Sequence, residues 1–262
     1  MNLPLQICHL PLVPIRATAS HKAEMITQLL FGELYSILES ENNWLQIKIV
    51  DDGYLGWIDK NQHQNTGEIE ANKLQNSLPN IACQAFIKVQ NTNNTVEFYL
   101  PFGARLHFLD KNDIGFNGIL YPLKINEFIL PNPTNFEQNV EKFASQFLNV
   151  PYLWGGKTHF GIDCSGFTQQ VFIALGIKLQ RDAWQQAQQG IVVDFLETAK
   201  LGDLAFFDNE EGRITHVGIL LNNGQIIHAS GRVKIDKIDN YGIFSEDKNI
   251  YTHKLRILKR YA

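Results

Sequence analysis

The chain has 262 residues, of which 44% are hydrophobic and 19% charged, so it can build apolar cores and is not a disordered protein. Its 23 Lys and Arg residues against 27 Asp and Glu residues give a net charge of −4, so the composition gives no support for the clustered basic charge of a nucleic-acid-binding protein, and we expect no nucleic-acid partner. At about 150 residues per domain, the length predicts one to two domains, or more if the units are small.

The first stretch of the chain, residues 1–62, has the pattern of a small β structure. Short alternating apolar segments at 12–15, 34–38 and 44–49 are separated by turn residues at Gly32 and Asn42-Asn43, and the turn Asp51-Asp52-Gly53 follows the last of them. Strands this short and this evenly spaced predict a small antiparallel barrel or sandwich without helices.

Residues 63–130 are predicted to form a second β unit. A polar, Asn- and Gln-rich stretch up to residue 80 has the composition of a linker or surface loop. Four segments of strand length follow, and we interpret the unit as a diverged second copy of the first. The segments lie at 85–89, 96–100, 104–109 and 118–121.

The pattern changes after Pro131-Asn132-Pro133, and residues 131–262 are predicted to form a third unit. Apolar residues at helical spacing predict helices there, and later alternating segments predict strands. The predicted helices cover 135–148, 164–175 and 183–189, and the predicted strands cover 203–207, 216–221, 225–229 and 254–258. Helices followed by antiparallel strands are typical of the α+β class.

The three cysteines, Cys8, Cys83 and Cys164, stand far apart in the chain. This spacing excludes a disulfide framework and a CxxC-type zinc or redox site, so at least one thiol is free. The N-terminus has no basic start followed by an apolar stretch, and no segment reaches the roughly 18 apolar residues that a membrane span requires. We therefore expect a cytoplasmic protein without a membrane partner, provided that no residues upstream of Met1 have been removed.

Cys164 is the best candidate for a nucleophile. It lies in Gly161-Ile162-Asp163-Cys164-Ser165-Gly166, where a glycine-bounded loop leads directly into a predicted helix. A helix N-terminus carries partial positive charge and free N–H groups, which lower a cysteine pKa and can bind the oxyanion of acyl transfer. Free cysteines are more often simply buried, and that is our interpretation of Cys8 and Cys83.

A thiol nucleophile also needs a base, and two histidines are candidates. His216 and His228 lie in predicted strands on either side of the turn at Asn222-Asn223-Gly224. A hairpin there would bring the two rings together, so that one is the base and the other orients it. Each histidine alone is more often a hydrogen-bonded structural residue, and it is the combination with Cys164 that favours catalysis.

A zinc site is the alternative for a Cys–His–His set. The spacing of Cys164, His216 and His228 matches none of the compact metal signatures, and no second cysteine or neighbouring carboxylate completes four ligands. We therefore expect no metal and no other cofactor.

Several short motifs follow one another between residues 135 and 260. They are Pro151-Tyr152-Leu153-Trp154-Gly155-Gly156, Asp163-Cys164-Ser165-Gly166-Phe167, Arg181-Asp182, Leu201-Gly202-Asp203-Leu204, His216-Val217-Gly218 and His228-Ala229-Ser230-Gly231. Together they resemble the NlpC-type cysteine peptidase family, which comprises papain-like enzymes that cut bacterial cell-wall peptides. The stretch from Val13 to Trp57 is similar to the bacterial SH3-like domain of the subgroup that acts as γ-D-glutamyl-L-diamino acid endopeptidases.

The resemblance implies a papain-like catalytic domain at 131–262, with helices packed on an antiparallel sheet, preceded by SH3-like β-barrel units at 1–62 and 63–130. It also implies further site residues. These are Tyr152 and Trp154 lining the cleft, with Tyr152 beside the oxyanion; Asp163 and Ser165 holding D-Glu; Asp182 receiving the substrate ammonium group; and Tyr54 and Glu24 closing the cleft from the SH3-like domain. The subgroup often has Ser where this chain has Ala183, which concerns fine specificity and not the chemistry.

The sequence therefore predicts a cysteine peptidase that cuts between the γ-carboxyl of D-Glu and meso-diaminopimelate or L-Lys. The substrates are murein-derived peptides with a free N-terminal L-Ala, as in murein recycling, and a monomer is expected. Cys164 attacks, His216 takes and returns the proton, and His228 holds the imidazole. The alternatives are an exported endopeptidase that acts on intact peptidoglycan and a catalytically silent protein that binds wall peptides.

Overall fold

The computed structural model describes residues 5–65, 74, 78–90, 97–107, 109–110, 113–116, 119–122 and 127–262. The chain divides into two compact units, Met1–Pro131 and Asn132–Ala262. A further division of the first unit at residue 63 stays a prediction. Among the described residues, no helix is both long and apolar enough to cross a bilayer.

The first unit begins with a six-stranded antiparallel sheet of order β1-β4-β5-β6-β2-β3. Its strands are β1 (Leu5–Ile7), β2 (Leu12–Arg16), β3 (Met25–Leu30), β4 (Leu34–Glu41), β5 (Trp44–Ile49) and β6 (Leu55–Asp59), followed by a short 3₁₀ turn at Lys60–Gln62. Alternate side chains such as Val13, Ile15 and Ile47 form one core, as the period of two in the sequence requires. The sequence missed β1, β3 and β6, because none of them stands out as an alternating segment.

The rest of the first unit consists of small sheets with strand orders β10-β7-β14, β8-β9 and β11-β12-β13. The strands are β7 (Asn80–Ala82), β8 (Phe86–Gln90), β9 (Glu97–Pro101), β10 (Arg105–Leu106), β11 (Leu109–Asp110), β12 (Asp113–Phe116), β13 (Ile119–Pro122) and β14 (Phe128–Ile129). Phe31, just after β3, packs in one core with Ala82 and Ile87, so the two β regions of this unit share apolar packing. Most of the predicted linker at 63–80 lies outside the described residues.

The second unit has three helices and nine strands among its residues, all of which the structure describes. The helices are α1 (Phe136–Ser145), α2 (Cys164–Ala174) and α3 (Ala183–Gln186), with 3₁₀ turns at Pro133–Asn135 and Leu196–Thr198. The strands are β15 (Lys157–Thr158), β16 (Gly161–Ile162), β17 (Ile191–Val193), β18 (Leu204–Asp208), β19 (Ile214–Leu221), β20 (Gln225–Ser230), β21 (Arg232–Asp239), β22 (Gly242–Ser245) and β23 (Ile250–Arg260).

The main sheet of the second unit closes on itself. Its order is β17-β23-β18-β19-β20-β21-β22, and β22 pairs additionally with β23, so six strands form a barrel with β17 attached outside the ring. The predicted α+β fold class is therefore confirmed only in part, because the helices are few and the antiparallel sheet is closed into a barrel. The sequence missed β21 and β22, and it could not show closure, because closure requires the long strand β23 to pair both with its neighbour β22 and with β18, which lies far earlier in the chain.

Helix α2 lies against the barrel and places its first residue at the candidate site. All of its residues are buried, and it contacts β19 and β20, the two strands that carry the candidate histidines. The ring of Phe172 meets Phe136 of α1 edge-on, with 5.4 Å between the ring centroids. The helix is therefore held on both sides by apolar packing, which fixes the position of Cys164.

Candidate active site

Cys164 is the first residue of α2, and the residue before it ends the loop and caps the helix. Asp163 has an extended backbone, and its Oδ1 accepts a hydrogen bond of 2.7 Å from the N–H of Gly166. An acidic cap of this kind satisfies a free N–H group and favours helix formation at that point. The Cys164 thiol is consequently fixed at the positive end of the helix, as the sequence predicts.

Asp163 belongs to a buried network that holds the loop before Cys164. Arg181 donates to both of its carboxylate oxygens, at 3.0 and 2.6 Å, and to Ser165 Oγ at 2.9 Å. The N–H of Gly155 donates to Asp163 Oδ2 at 2.8 Å. The Asp163 oxygens are thus occupied by protein donors, and their role, like that of Ser165, as a substrate contact stays a prediction.

Two glycines permit the loop to pack closely on the start of α2. A Cβ atom on Gly166 would collide with the carbonyl oxygen of Gly156, and one on Gly156 would collide with the carbonyl oxygen of Gly161. Gly156 of the Gly-Gly motif and Gly166 of the Cys-Ser-Gly motif are therefore required for packing, since only glycine allows two backbones to approach this closely.

The two predicted histidines meet across the β19–β20 hairpin. His216 Nε2 lies 2.9 Å from His228 Nδ1, and both rings are buried. Gly218 pairs with His228 across the hairpin, and a Cβ there would lie 2.9 Å from the His228 Cβ. The glycine of the His216-Val217-Gly218 motif thus leaves the space in which the His228 side chain stands.

A carboxylate that the sequence analysis missed continues this line of groups. His228 Nε2 lies 3.1 Å from Asp236 Oδ2, and Lys234 Nζ lies 2.8 Å from the same oxygen. Asp236 is buried and stands on β21. The alternation of Arg232-Val233-Lys234-Ile235-Asp236 directly after His228 was the signal that could have revealed this strand. We call His216, His228 and Asp236 the relay.

The relay sets the tautomers of both rings. An ionised carboxylate only accepts hydrogen bonds, so His228 Nε2 donates to Asp236. The Nδ1 of His228 is then an acceptor and takes the N–H of His216 Nε2. This leaves His216 Nδ1 as the nitrogen with an available lone pair, which is the state that a general base requires.

A third histidine, also missed from the sequence, covers the candidate base. The ring of His253, on β23, stacks on His216 with 4.1 Å between centroids and 26° between planes. Nitrogen atoms of His216, His228 and His253 all lie within 4.8 Å of one another, a spacing that could suggest a metal site. However, imidazole binds zinc in the plane of its ring at about 2.0–2.1 Å. Two stacked rings direct their lone pairs side by side, so this set as it stands does not fit a tetrahedral ion.

Burial determines the charge state of the resting site. It raises the pKa of the Cys164 thiol to about 12, and the neighbouring Asp163 carboxylate adds to that shift. It also lowers the pKa of His216 well below its ordinary value, with further lowering from His228 and His253. The predicted lowering of the cysteine pKa is wrong, because the side chain is 6% exposed and lost hydration outweighs the helix end. The resting pair is therefore a neutral thiol and a neutral imidazole.

The remaining predicted residues of the second unit are Tyr152, Trp154 and Asp182. Tyr152 donates its N–H to the carbonyl of Gly231 at 2.9 Å. Burial, and then the Cys164 and Asp163 groups, raise the pKa of its phenol above the ordinary value, so the hydroxyl is a neutral donor. The side chain of Trp154 is 59% exposed. Asp182 precedes α3, where its N–H donates to Gln185 Oε1 at 3.0 Å.

The last two predicted site residues stand in the first unit. Tyr54 packs against the core of the six-stranded sheet, and its N–H donates to Asp52 Oδ1 at 3.0 Å. The carbonyl of Glu24 accepts a hydrogen bond of 2.9 Å from the N–H of Ala17. Their roles in a substrate cleft stay predictions.

Comparisons with known proteins identify the families of both parts of the chain. The sequence model of the NlpC/P60 family matches residues 149–250, and that of the bacterial dipeptidyl-peptidase SH3 domain matches residues 15–62. Over 216 residues the chain is 31% identical to the gamma-D-glutamyl-L-lysine dipeptidyl-peptidase of Bacillus subtilis (strain 168), covering 78% of this chain and 71% of that protein. Over 244 residues it is 28% identical to dipeptidyl-peptidase 6 of Lysinibacillus sphaericus, covering 83% and 85%.

A solved structure has the same fold. It is an NlpC/P60 family protein from Bacillus cereus ATCC 10987, with a TM-score of 0.84 and 19% sequence identity, covering 98% of this chain and 99% of that one.

Proposed function

The chain belongs to the NlpC/P60 family of cysteine peptidases, and on that premise we propose that it releases dipeptides from cell-wall peptides. The bond cut is the amide between the γ-carboxyl of D-Glu and a diamino acid, in peptides that begin with L-Ala. The observation that carries this proposal is the hydrogen-bonded relay, in which His216 Nε2 lies 2.9 Å from His228 Nδ1, together with the Cys164 thiol, whose Sγ lies 4.0 Å from the carbonyl oxygen of Thr215, the residue before His216. The names of the relatives, which include gamma-D-glutamyl-L-lysine dipeptidyl-peptidase, support the choice of bond.

The first half of the reaction forms a thioester. Cys164 Sγ attacks the γ-carbonyl carbon of D-Glu while its proton passes to His216 Nδ1. The carbonyl oxygen becomes an oxyanion, for which the N–H of Cys164 at the helix end and the Tyr152 hydroxyl are donors. When the C–N bond breaks, the proton on His216 goes to the leaving amine of the diamino acid.

The second half of the reaction uses water in place of the amine. His216 removes a proton from the water, whose oxygen attacks the thioester carbonyl carbon. The proton then returns to Sγ as the C–S bond breaks, which releases L-Ala-D-Glu with a free γ-carboxylate and restores the neutral thiol. His228 and Asp236 keep His216 in the tautomer that both halves need.

Selection of the substrate rests in this proposal on a free amino terminus. Asp182 receives the ammonium group of L-Ala, because a charge-assisted hydrogen bond distinguishes a free amine from an acylated one. In intact peptidoglycan the amine of L-Ala is acylated, so such a preference favours released peptides and a role in their recycling inside the cell.

The test is turnover of two synthetic peptides, L-Ala-γ-D-Glu-L-Lys and its N-acetyl form, with the products identified by mass spectrometry. The meso-diaminopimelate analogue is assayed in parallel to determine the third residue. We expect cleavage of the free peptide, little cleavage of the acetylated one, and none by Cys164→Ala. Preferred cleavage of the acetylated peptide would favour the exported endopeptidase, and equal product from wild type and Cys164→Ala would exclude the enzyme.

A further inference from the structure

We propose that His253 is a positioning residue for the general base, whose ring face stabilises the imidazolium that forms on His216 when Cys164 gives up its proton. This inference rests on the proposed peptidase function. It concerns a residue outside the predicted site, and it explains how a base so deeply buried can become charged during the reaction.

The closure of the barrel brings His253 to this place. His253 pairs with Ile243 of β22, and a Cβ on Gly242 would collide with the His253 carbonyl oxygen, so only glycine permits the two strands to approach there. Phe207 of β18 contacts both imidazoles, at 5.9 Å from His253 and 5.8 Å from His216 between centroids. The His253 ring is thus held by neighbours on both sides of β23.

The contact between the two imidazoles is made by their faces. The centroids of His216 and His253 are 4.1 Å apart at 26°, whereas His228 meets His253 at 84° and 5.6 Å. His253 Nδ1 lies 2.8 Å from its neighbour Thr252 Oγ1. The edge of His216 is therefore used for proton transfer and for the hydrogen bond to His228, while His253 acts on His216 through its π face.

The charge of His253 decides whether this face helps or hinders. A neutral aromatic face attracts a cation, whereas a protonated ring repels it. The lowering of the His216 pKa by His253 is a charge–charge effect, so it applies only when His253 is protonated. Burial, followed by His228 and Lys234, lowers the pKa of His253 to about 4, with Lys248 lowering it and Asp236 opposing the shift. These groups and His216 are the titratable neighbours of His253, and they leave it neutral in the pH range where a peptidase works.

The experiment compares His253→Phe with His253→Leu. Both variants fill the space and keep water out, but only phenylalanine presents a π face. We expect His253→Phe to stay within about twofold of the wild-type kcat. We expect His253→Leu to lose about tenfold in kcat with KM unchanged. The acid limb of its profile of kcat against pH should move to lower pH, because His216 becomes a weaker base.

A second readout needs no substrate. The rate at which iodoacetamide alkylates Cys164 is measured against pH, and the alkylated residue is identified by peptide mass. The acid limb of this rate profile should shift in His253→Leu in the same direction as the acid limb of kcat. This readout separates failure of the inference from failure of the proposed substrate. His159 supplies a matched control, because it stacks on Phe147 at 4.0 Å and 24°. His159→Leu should change stability and leave both limbs in place.

Equal kcat and equal acid limbs in His253→Phe and His253→Leu would overturn the proposal and reduce His253 to a space-filling residue. A shift of the limb in His159→Leu as large as that in His253→Leu would also overturn it. Thermal unfolding of each variant confirms that the compared proteins are folded.

Discussion

His228 Nε2 lies 3.1 Å from Asp236 Oδ2, and this contact determines which ring nitrogens of the relay donate and which accept hydrogen bonds. Burial by itself would raise the pKa of Asp236, but hydrogen bonds from His228 and Lys234 together lower it to about 2. Asp236 therefore remains a carboxylate at every pH at which the site could work, and it keeps the proton on His228 Nε2.

Asp236→Asn should lower kcat by about 10- to 100-fold with little change in KM, because an amide no longer dictates which nitrogen of His228 carries the proton. Steady-state kinetics on the free tripeptide measures this. Asp247→Asn is the control, since Asp247 also contacts Lys234 but its side chain is 56% exposed. A kcat within twofold of wild type in Asp236→Asn would show that His228 needs no carboxylate.

Arg181→Met should destabilise the second unit strongly. It leaves Asp163 buried without its bidentate partner, and breaking a buried pair costs about 3–5 kcal/mol. A loss of this size lowers Tm by roughly 10–20 °C in a unit of this size. The double variant Arg181→Met with Asp163→Asn should recover part of the loss. Equal Tm values for the single and double variants would contradict the assignment of the cost to an unpaired charge.

Gly218→Ala should impair catalysis more than stability. The new Cβ would stand 2.7 Å from Cδ1 of Ile226 and 2.9 Å from the Cβ of His228, so both side chains must shift, and we expect the shift of His228 to disturb its hydrogen bond with His216. We expect kcat to fall at least tenfold, and Tm by the few degrees that overpacking of about 1–3 kcal/mol produces. Gly212→Ala is a useful comparison, because nothing lies within 4 Å of its would-be Cβ. Unchanged kcat in Gly218→Ala would mean that the hairpin accommodates the new methyl group without moving the His228 ring.

Stability should fall as the solution becomes acidic. Burial lowers the pKa of both His159 and His253 to about 4, from the ordinary value of 6.5. Between these values the unfolded chain binds protons that the folded chain does not, so stability is complete above pH 6.5 and is lost as the pH falls towards 4. Tm measured from pH 7.5 to 4.5 should drop by several degrees, and less steeply in His159→Leu.

Asp182→Asn should narrow the preference for a free amino terminus. It removes the negative charge that the proposal pairs with the L-Ala ammonium group, so kcat/KM for the free tripeptide should fall about tenfold or more while that for the N-acetyl form stays constant. Competition between the two peptides in one reaction gives the ratio directly. Equal losses on both substrates would show that Asp182 supports the fold of α3 and not the amine.

The catalytic cysteine and the two hairpin histidines could be predicted from the sequence. The Asp163-Cys164-Ser165-Gly166 motif and the hairpin histidines are set by neighbours close in the chain, so their positions could be predicted. Asp236 was missed because β21 was not recognised as a strand, although its pairing with β20 is a local hairpin. His253 could not be predicted, because β23 comes to the site through its pairing with the distant strand β18. The pKa of Cys164 was predicted with the wrong sign because burial is a property of the packed unit.

The pairing of β23 with both β18 and β22 also governs how the second unit assembles. Phe206 pairs with Ile257, and β19 to β22 lie between them in the chain, so the ring cannot close until segments far apart in sequence meet. Pairings of such long range make folding slow. Until β23 is seated, β18 and β22 each present an open strand edge, and such edges can pair with another chain. The strand that brings His253 to the base therefore also protects the folding chain from aggregation.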